Sequence, residues 1–153
     1  MPVTMSPTPR FVLSWDMFDE VPNIEPDHGQ SMDADTKCKF DVAWNGDDVT
    51  VTVGPDSLRV RAGASKTAEL LKHEQGHSDI TYLTGLATGR AIARNSSGSQ
   101  ATIRSHQVTG QRVQARYDRQ TEHGRNSAQQ TRWNQLLDDA IQHNLTTVDG
   151  QAL

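Results

Sequence analysis

KTAELLKHEQGHSDITYLTGLATGRAIAR, Lys66 to Arg94, contains no proline, and its apolar residues recur at helical spacing: Ala68 and Leu71, then Ile80, Leu83, Ala87 and Ala91. The spacing predicts one long helix from Lys66 to about Arg94. Ser65 is the first choice for its N-cap and Thr67 the second, because a hydroxyl there can accept a bond from an unpaired backbone N–H. Asn95-Ser96-Ser97-Gly98-Ser99 ends it. Gly76, Gly85 and Gly89 lie inside the run. Each costs about 1 kcal/mol relative to alanine, so they predict close contacts or a bend.

Inside this helix, Leu70 to His77 reads LLKHEQGH, a His-Glu-x-x-His motif. Residues four apart on a helix lie one above the other, so His73 and His77 can aim two imidazoles at one ion. Glu74 sits about 100° round the helix, where it reaches a water on the ion without ligating the ion. Zinc held by three protein ligands keeps a position for water and lowers its pKa to about 7. Glu74 would then be general base and afterwards general acid in the hydrolysis of an amide. The bland alternative is an exposed helix with two unrelated histidines.

The third ligand must come from elsewhere. Asp79 points about 200° away from His77 on the helix and is rejected. His28 lies in a loop, and His106 and His143 in polar helical stretches, so all three read as solvated. His123, Glu122 and Asp118 remain, in Tyr117 to Gly124, YDRQTEHG. Chemistry alone leaves His123 and Glu122 both open. Asp118 has two readings, an orienter of a ligand histidine or a helix-surface acid. Tyr117 also has two, a hydrogen-bond donor to a developing oxyanion or a buried residue packing the second helix on the first. Thr121 is read as a support for the turn that holds His123.

The chain before the long helix reads as β. Cys38, Phe40, Val42 and Trp44 alternate, Asn45-Gly46 turns, Val49, Val51 and Val53 alternate, and Gly54-Pro55-Asp56 turns again before Leu58 and Val60. This predicts a three-stranded antiparallel meander with one polar face. Val21 to Thr36 reads as a long acidic loop, and residues 1–10, rich in Pro, Thr and Ser, as a flexible tail. FVLSWDMF, Phe11 to Phe18, fits a short strand running into a turn. After the helix, residues 100–122 read as a weakly amphipathic helix closed by His123-Gly124. Asn126 or Ser127 caps a last helix with the stripe Trp133, Leu136, Leu137, Ala140 and Ile141. Trp15, Trp44 and Trp133 are read as core residues.

Composition sets the bounds. The 153 residues are only 34% apolar, with eight aromatics, which is lean for one domain. A thin core is commonly supplemented by a metal or a partner. One cysteine, Cys38, excludes an internal disulfide and a multi-cysteine zinc site; in a strand it reads as a small buried hydrophobe, not a nucleophile. No stretch approaches the ~20 apolar residues of a membrane span, and the N-terminus has no apolar signal core. The net charge of −4 does not suggest a nucleic-acid binder. That average divides unevenly. Residues 1–60 carry eleven acids against four bases, and residues 61–153 eleven bases against eight acids. Between 90 and 132 eight arginines face only Asp118 and Glu122. They form either a solvated helical face or the wall of a groove that attracts acidic substrates.

Three stretches carry a family resemblance: LSWDMF (Leu13 to Phe18), LLKHEQGHSDI (Leu70 to Ile80), and YDRQTEHG followed by QTRWN (Gln130 to Asn134). Together they resemble a bacterial family of predicted secreted zinc-dependent proteases, a domain of unknown function with a His-Glu-x-x-His motif. The likeness spans about residues 11–141. Ser78 stands where that family usually has an aromatic, and the gap between Gly124 and Gln130 is longer than usual. In the family pattern the position of Glu122 varies and the histidine stays, which implies His123 as the third ligand. The resemblance implies a secreted or periplasmic protein, although this chain shows no signal peptide.

The combined expectation is a single α+β, zincin-like domain over residues 11–153, its N-terminal antiparallel sheet packed on the metal-motif helix, with two further helices completing the site. Its expected function is zinc-dependent hydrolysis of peptide bonds. One Zn²⁺ is held by His73, His77 and His123, Glu74 is the base, and Tyr117 is a candidate for the oxyanion. The expected partner is a peptide or protein substrate, with no nucleic acid and no membrane. The alternatives are a zinc hydrolase of another amide, such as a cell-wall linkage, and a zinc-stabilised binding module without turnover.

Overall fold

The computed structural model describes residues 3–153. Its centre is α1, Ala68–Arg94, close to the expected span. Thr67, the second choice, is the N-cap: its hydroxyl accepts from Leu70 N at 3.1 Å. One side of α1 packs on the sheet and the other on α2 (Ser99–Thr121) and α3 (Ser127–Gln142). From His73 to Gly89 every residue of α1 except Tyr82 is buried. The interior glycines are contact points, and the helix runs through them unbroken. A Cβ on Gly85 would lie 3.0 Å from Phe40 and Val51, and one on Gly89 2.6 Å from Val51.

The sheet corrects the meander. β4, Asp48–Arg61, is one continuous central strand. β3, Ala34–Trp44, pairs antiparallel along one edge, while β1 (Thr4–Met5) and β2 (Asp19–Val21) pair parallel with the two ends of the other. The sheet is therefore mixed, not antiparallel throughout. Gly54-Pro55-Asp56 makes no turn. Lys37 faces Ser57 and Cys38 faces Pro55, so Asp56 is the extra residue of a β-bulge. One extra residue moves the inward face from odd to even positions, from Val49 and Val51 to Leu58 and Val60, all buried. Pro55, which lacks an N–H, is tolerated at such an irregularity.

The N-terminal segment read as a tail contributes β1 and holds the helix from behind. Arg10 pairs with both carboxylate oxygens of Asp79 at 2.8 and 2.6 Å, and Leu13 N donates to Gln75 Oε1 at 2.8 Å. A 3₁₀ turn, Trp15–Met17, leads into β2. Trp44 is a further correction: at the hairpin tip it is 44% exposed, whereas Trp133 is fully buried. After α3, two short strands, β5 (Thr147–Val148) and β6 (Gln151–Ala152), bring Val148 and Leu153 into the core.

The low apolar content has a structural counterpart. Among the described residues there are three hydrophobic clusters on the faces of α1 rather than one large core. Between them α1 buries threonines that return their hydroxyls to its own backbone, Thr84 to Ile80 O and Thr88 to Thr84 O, both at 2.7 Å. Polar groups buried this way carry no unpaired-donor penalty.

Candidate metal centre

The site is built where α1 and α2 cross. Gly76 permits the contact: a Cβ there would lie 2.1 Å from Tyr117 Oη. Tyr117 is fully buried, stacks on His73 (centroids 4.8 Å apart, 14° between planes), and meets His77 edge-on at 5.1 Å.

Its hydroxyl fixes a chain of donors. Tyr117 Oη lies 2.8 Å from the His73 carbonyl, which can only accept, so the hydroxyl donates there. It therefore accepts from Gln130 Nε2 at 2.9 Å. That turns Gln130 Oε1 towards His73 Nδ1 at 2.8 Å, so Nδ1 carries the proton and Nε2 the lone pair. His77 is held in the same way. Gln114 Nε2 donates to the His77 carbonyl at 2.9 Å, and Gln114 Oε1 accepts from His77 Nδ1 at 2.5 Å. At His123, Nε2 faces Asp27 Oδ2 at 3.3 Å, and Nδ1 is buried without a hydrogen-bond partner.

His73 and His77 thus have their outer nitrogens hydrogen-bonded to an acceptor, His123 has Asp27 beside its own at ion-pair distance, and all three inner nitrogens lie near one atom. His73 Nε2, His77 Nε2 and His123 Nδ1 lie 3.1, 2.9 and 3.5 Å from Asp118 Oδ1. Lone pairs facing a carboxylate oxygen require a cation among them, either protons on the rings or a metal ion. At His77 burial opposes charge, but the Asp118 carboxylate outweighs it and lifts the ring to about 9 in the absence of metal. Burial likewise opposes charge on Asp118, and His77 and His73 together hold its carboxyl well below the usual range.

The donors suit a metal in two overlapping sets. Ligands about 2.0–2.1 Å from a tetrahedral ion are about 3.3–3.4 Å from one another. His73, His77 and Asp118 form one set of donors able to hold an ion, with ligand atoms within 4.8 Å of one another; Asp27, Asp118 and His123 form a second set, so Asp118 is the donor the two share and His123 groups with Asp27 rather than with the other two histidines.

No protein-family model, curated protein or solved structure matches this chain. What the site can do is read from its own residues.

Glu74 is 1% exposed, and its Oε2 has no hydrogen-bond partner. Burial raises its carboxyl, while His73 and His77 pull it back. Glu122, the alternative ligand, is exposed and forms the C-cap of α2. Asp118, read as an orienter of a ligand histidine or a helix-surface acid, lies among the three histidines. Asp79 turns away to Arg10, the side chain of His28 is 94% exposed, and His143 is exposed. The hydroxyl of Tyr117 is committed to the His73 carbonyl, so in this arrangement it holds the ligand helix in place.

His123 owes its position to strained backbone. Glu122, His123 and Gly124 take φ of 52°, 54° and 89°, three successive left-handed residues, of which only the glycine adopts this freely. Gly124 is also needed for space, because a Cβ would lie 3.0 Å from His73 Cγ. Thr121 supports the turn, its carbonyl accepting from Gly124 N at 3.0 Å and Asn126 N at 2.9 Å. Clefts open on both sides of His123: one of about 460 Å³ between Asp27 and Gln30 of the acidic loop and Asp118 and Arg119 of α2, the other of about 220 Å³ bounded by Met32, Leu70, His73 and Arg125.

The residues missed in the sequence are the outer acceptors Gln114 and Asp27. Gln114 left a signal: Gln114, Tyr117, Asp118 and Thr121 make an i, i+3, i+4, i+7 stripe, which is the face α2 turns to α1. Asp27, in a loop, left none.

Proposed function

We propose that this chain is a zinc-dependent metallopeptidase of the zincin-like kind that its motifs resemble. The observation that supports this reading is that His73 Nε2, His77 Nε2 and His123 Nδ1 all lie within 2.9–3.5 Å of one oxygen of Asp118, on a helix whose Glu74 is buried with its Oε2 unpartnered. His73 and His77 would hold the ion through Nε2 and His123 through Nδ1, with Asp118 as a neighbouring oxygen donor. The bound zinc supplies Lewis-acid polarisation of the substrate carbonyl and of the attacking water.

The remaining chemistry belongs to the chain. Glu74 takes the proton of the attacking water and passes it to the departing amine. Its burial keeps the carboxyl above the ordinary range, which suits both tasks near neutral pH. Gln130 and Gln114 keep Nδ1 protonated on His73 and His77. Tyr117 fixes Gln130 and so sets the ring of His73. The two clefts beside His123 give an extended chain a place on either side of the site.

The test compares wild type with Glu74→Gln for zinc content and for cleavage of a mixed peptide library. The expected result is equal zinc and a loss of cleavage of roughly 10²-fold or more, the usual worth of a general base. A wild type that binds zinc, unfolds on chelation and cleaves nothing is a zinc-stabilised module, and the peptidase reading falls.

A further inference from the structure

We infer that Asp27, in the acidic loop before β3, is a positioning residue of the metal centre: its carboxylate faces the outer nitrogen of His123 and turns the inner nitrogen towards the Asp118 oxygen that His73 and His77 also face. This rests on the metal reading above and adds a residue to it.

The loop is constructed to present that carboxylate. Asp27 and Gln30 exchange two backbone hydrogen bonds of 2.9 Å. The residues between them, His28 and Gly29, have φ of 47° and 78°, the pair of left-handed conformations of a type I′ turn. This tight turn fixes the backbone direction at Asp27. Ile24, three residues earlier, is buried, and Arg125 donates to the Ser31 carbonyl just past the turn. The loop is therefore held down on both sides of Asp27, and one of its anchors, Arg125, follows His123 closely in sequence.

The contact at His123 is a looser counterpart of those at the other two rings, an ion-pair contact rather than a hydrogen bond. Gln130 Oε1 is 2.8 Å from the outer nitrogen of His73 and Gln114 Oε1 2.5 Å from that of His77. Asp27 Oδ2 is 3.3 Å from that of His123, while the other Asp27 oxygen lies 3.7 Å from the exposed His28 ring. Histidine ligands commonly give their second ring N–H to such an acceptor, which fixes tautomer and orientation. At His123 the need is greatest, because the residue sits on left-handed backbone at a helix end with its inner Nδ1 otherwise unpaired. A carboxylate also donates more electron density to the ring than an amide does. The third arm of the site thus depends on a segment nearly a hundred residues away in the chain.

The experiment measures zinc stoichiometry and dissociation constant, by competition with a chromogenic chelator, for wild type, Asp27→Ala, Asp27→Asn and Asn23→Ala. Wild type should bind one ion. Asp27→Ala should weaken binding 10- to 100-fold, the usual effect of losing such an outer partner. Asp27→Asn, which keeps an acceptor oxygen but no charge, should fall between, and Asn23→Ala, exposed in the same loop, should match wild type. The metal-free proteins should melt together, which separates positioning from loop stability. An unchanged constant in Asp27→Ala overturns the proposal. So does a wild type that binds two ions and loses one in Asp27→Ala, since Asp27 would then be a ligand of a second ion. A wild type that binds no zinc overturns the metal reading and this proposal with it.

Discussion

Tyr117 touches His73 twice: its ring lies flat on the imidazole at 4.8 Å, and its hydroxyl donates to the backbone carbonyl of the same residue at 2.8 Å. A side chain bonded this way cannot also offer its proton to a substrate without letting go of the ligand helix. Tyr117→Phe should therefore lower stability by about 1–3 kcal/mol, because one buried N–H of Gln130 loses its acceptor while the other keeps Asn134, and weaken zinc binding as Gln130 turns. Urea unfolding and chelator competition check this. A variant with wild-type stability and zinc affinity but a lowered kcat would restore the oxyanion role.

Gly76→Ala tests the crossing of α1 and α2. The new methyl would meet Tyr117 Oη at 2.1 Å, and the fully buried ring has no room to withdraw. Overpacking of this kind costs about 1–3 kcal/mol, against which better helix propensity returns at most about 1 kcal/mol. Thermal melting should show a net loss of stability. A gain would mean that the two helices are not locked together here.

Zinc binding should be linked to pH through His77. Asp118 lifts its ring to about 9 in the metal-free protein, from an ordinary 6.5. A raised folded value stabilises the metal-free fold fully below about 6.5, and this contribution is lost as pH rises through about 9. Zinc must displace the same proton. Apparent zinc affinity should therefore climb between pH 6.5 and 9, with close to one proton released per ion from this ring, while metal-free stability declines across that window. Calorimetry in buffers of different ionisation enthalpy measures the protons. A flat profile would remove the His77–Asp118 contact from the metal-free state.

How much of this could be read beforehand differs by element. The long helix and its His-Glu-x-x-His motif were legible because a proline-free run with helical spacing has few competing readings. The last helix was legible because Trp133, Leu137 and Ala140 lie on one stripe, and all three are buried. The bulge at Asp56 was not. A change of parity between Val53 and Leu58 looks the same whether the chain turns or inserts one residue, and Pro55 made a turn the natural reading. Trp44 continues the alternation of Phe40 and Val42, yet that face runs off the core at the hairpin tip, which no local pattern records. In the site, spacing along one helix placed His73 and His77 together. That Asp118 lies among three imidazoles depends on which face α2 turns to α1, and that Asp27 meets His123 depends on where a loop is seated.

Cys38 gives a separate check on the sheet. Burial pushes its thiol up to about 11, so at pH 8 roughly one molecule in a thousand carries the thiolate, the form that reacts. Alkylation by iodoacetamide should be slow in the native protein and fast in urea. Rapid native labelling would show that the β3–β4 face opens towards α1.

Chelation should lower the melting temperature. Three small clusters hold the parts of the chain together, and an ion joining α1 to the turn after α2 adds stability in proportion to its affinity. Scanning with and without excess chelator tests this, and identical melting curves would mean that the ion contributes nothing to the fold.

The most direct test of the three-histidine centre is zinc K-edge X-ray absorption on the protein loaded with one equivalent of zinc. Imidazole rings have a distinctive multiple-scattering signature, and the proposed centre predicts three of them, with oxygen completing a shell at about 2.0–2.1 Å. His123→Ala should reduce the count to two and Glu122→Ala should leave it at three. A shell of oxygens with one imidazole or none, or a count of three that survives His123→Ala, would contradict the centre described here.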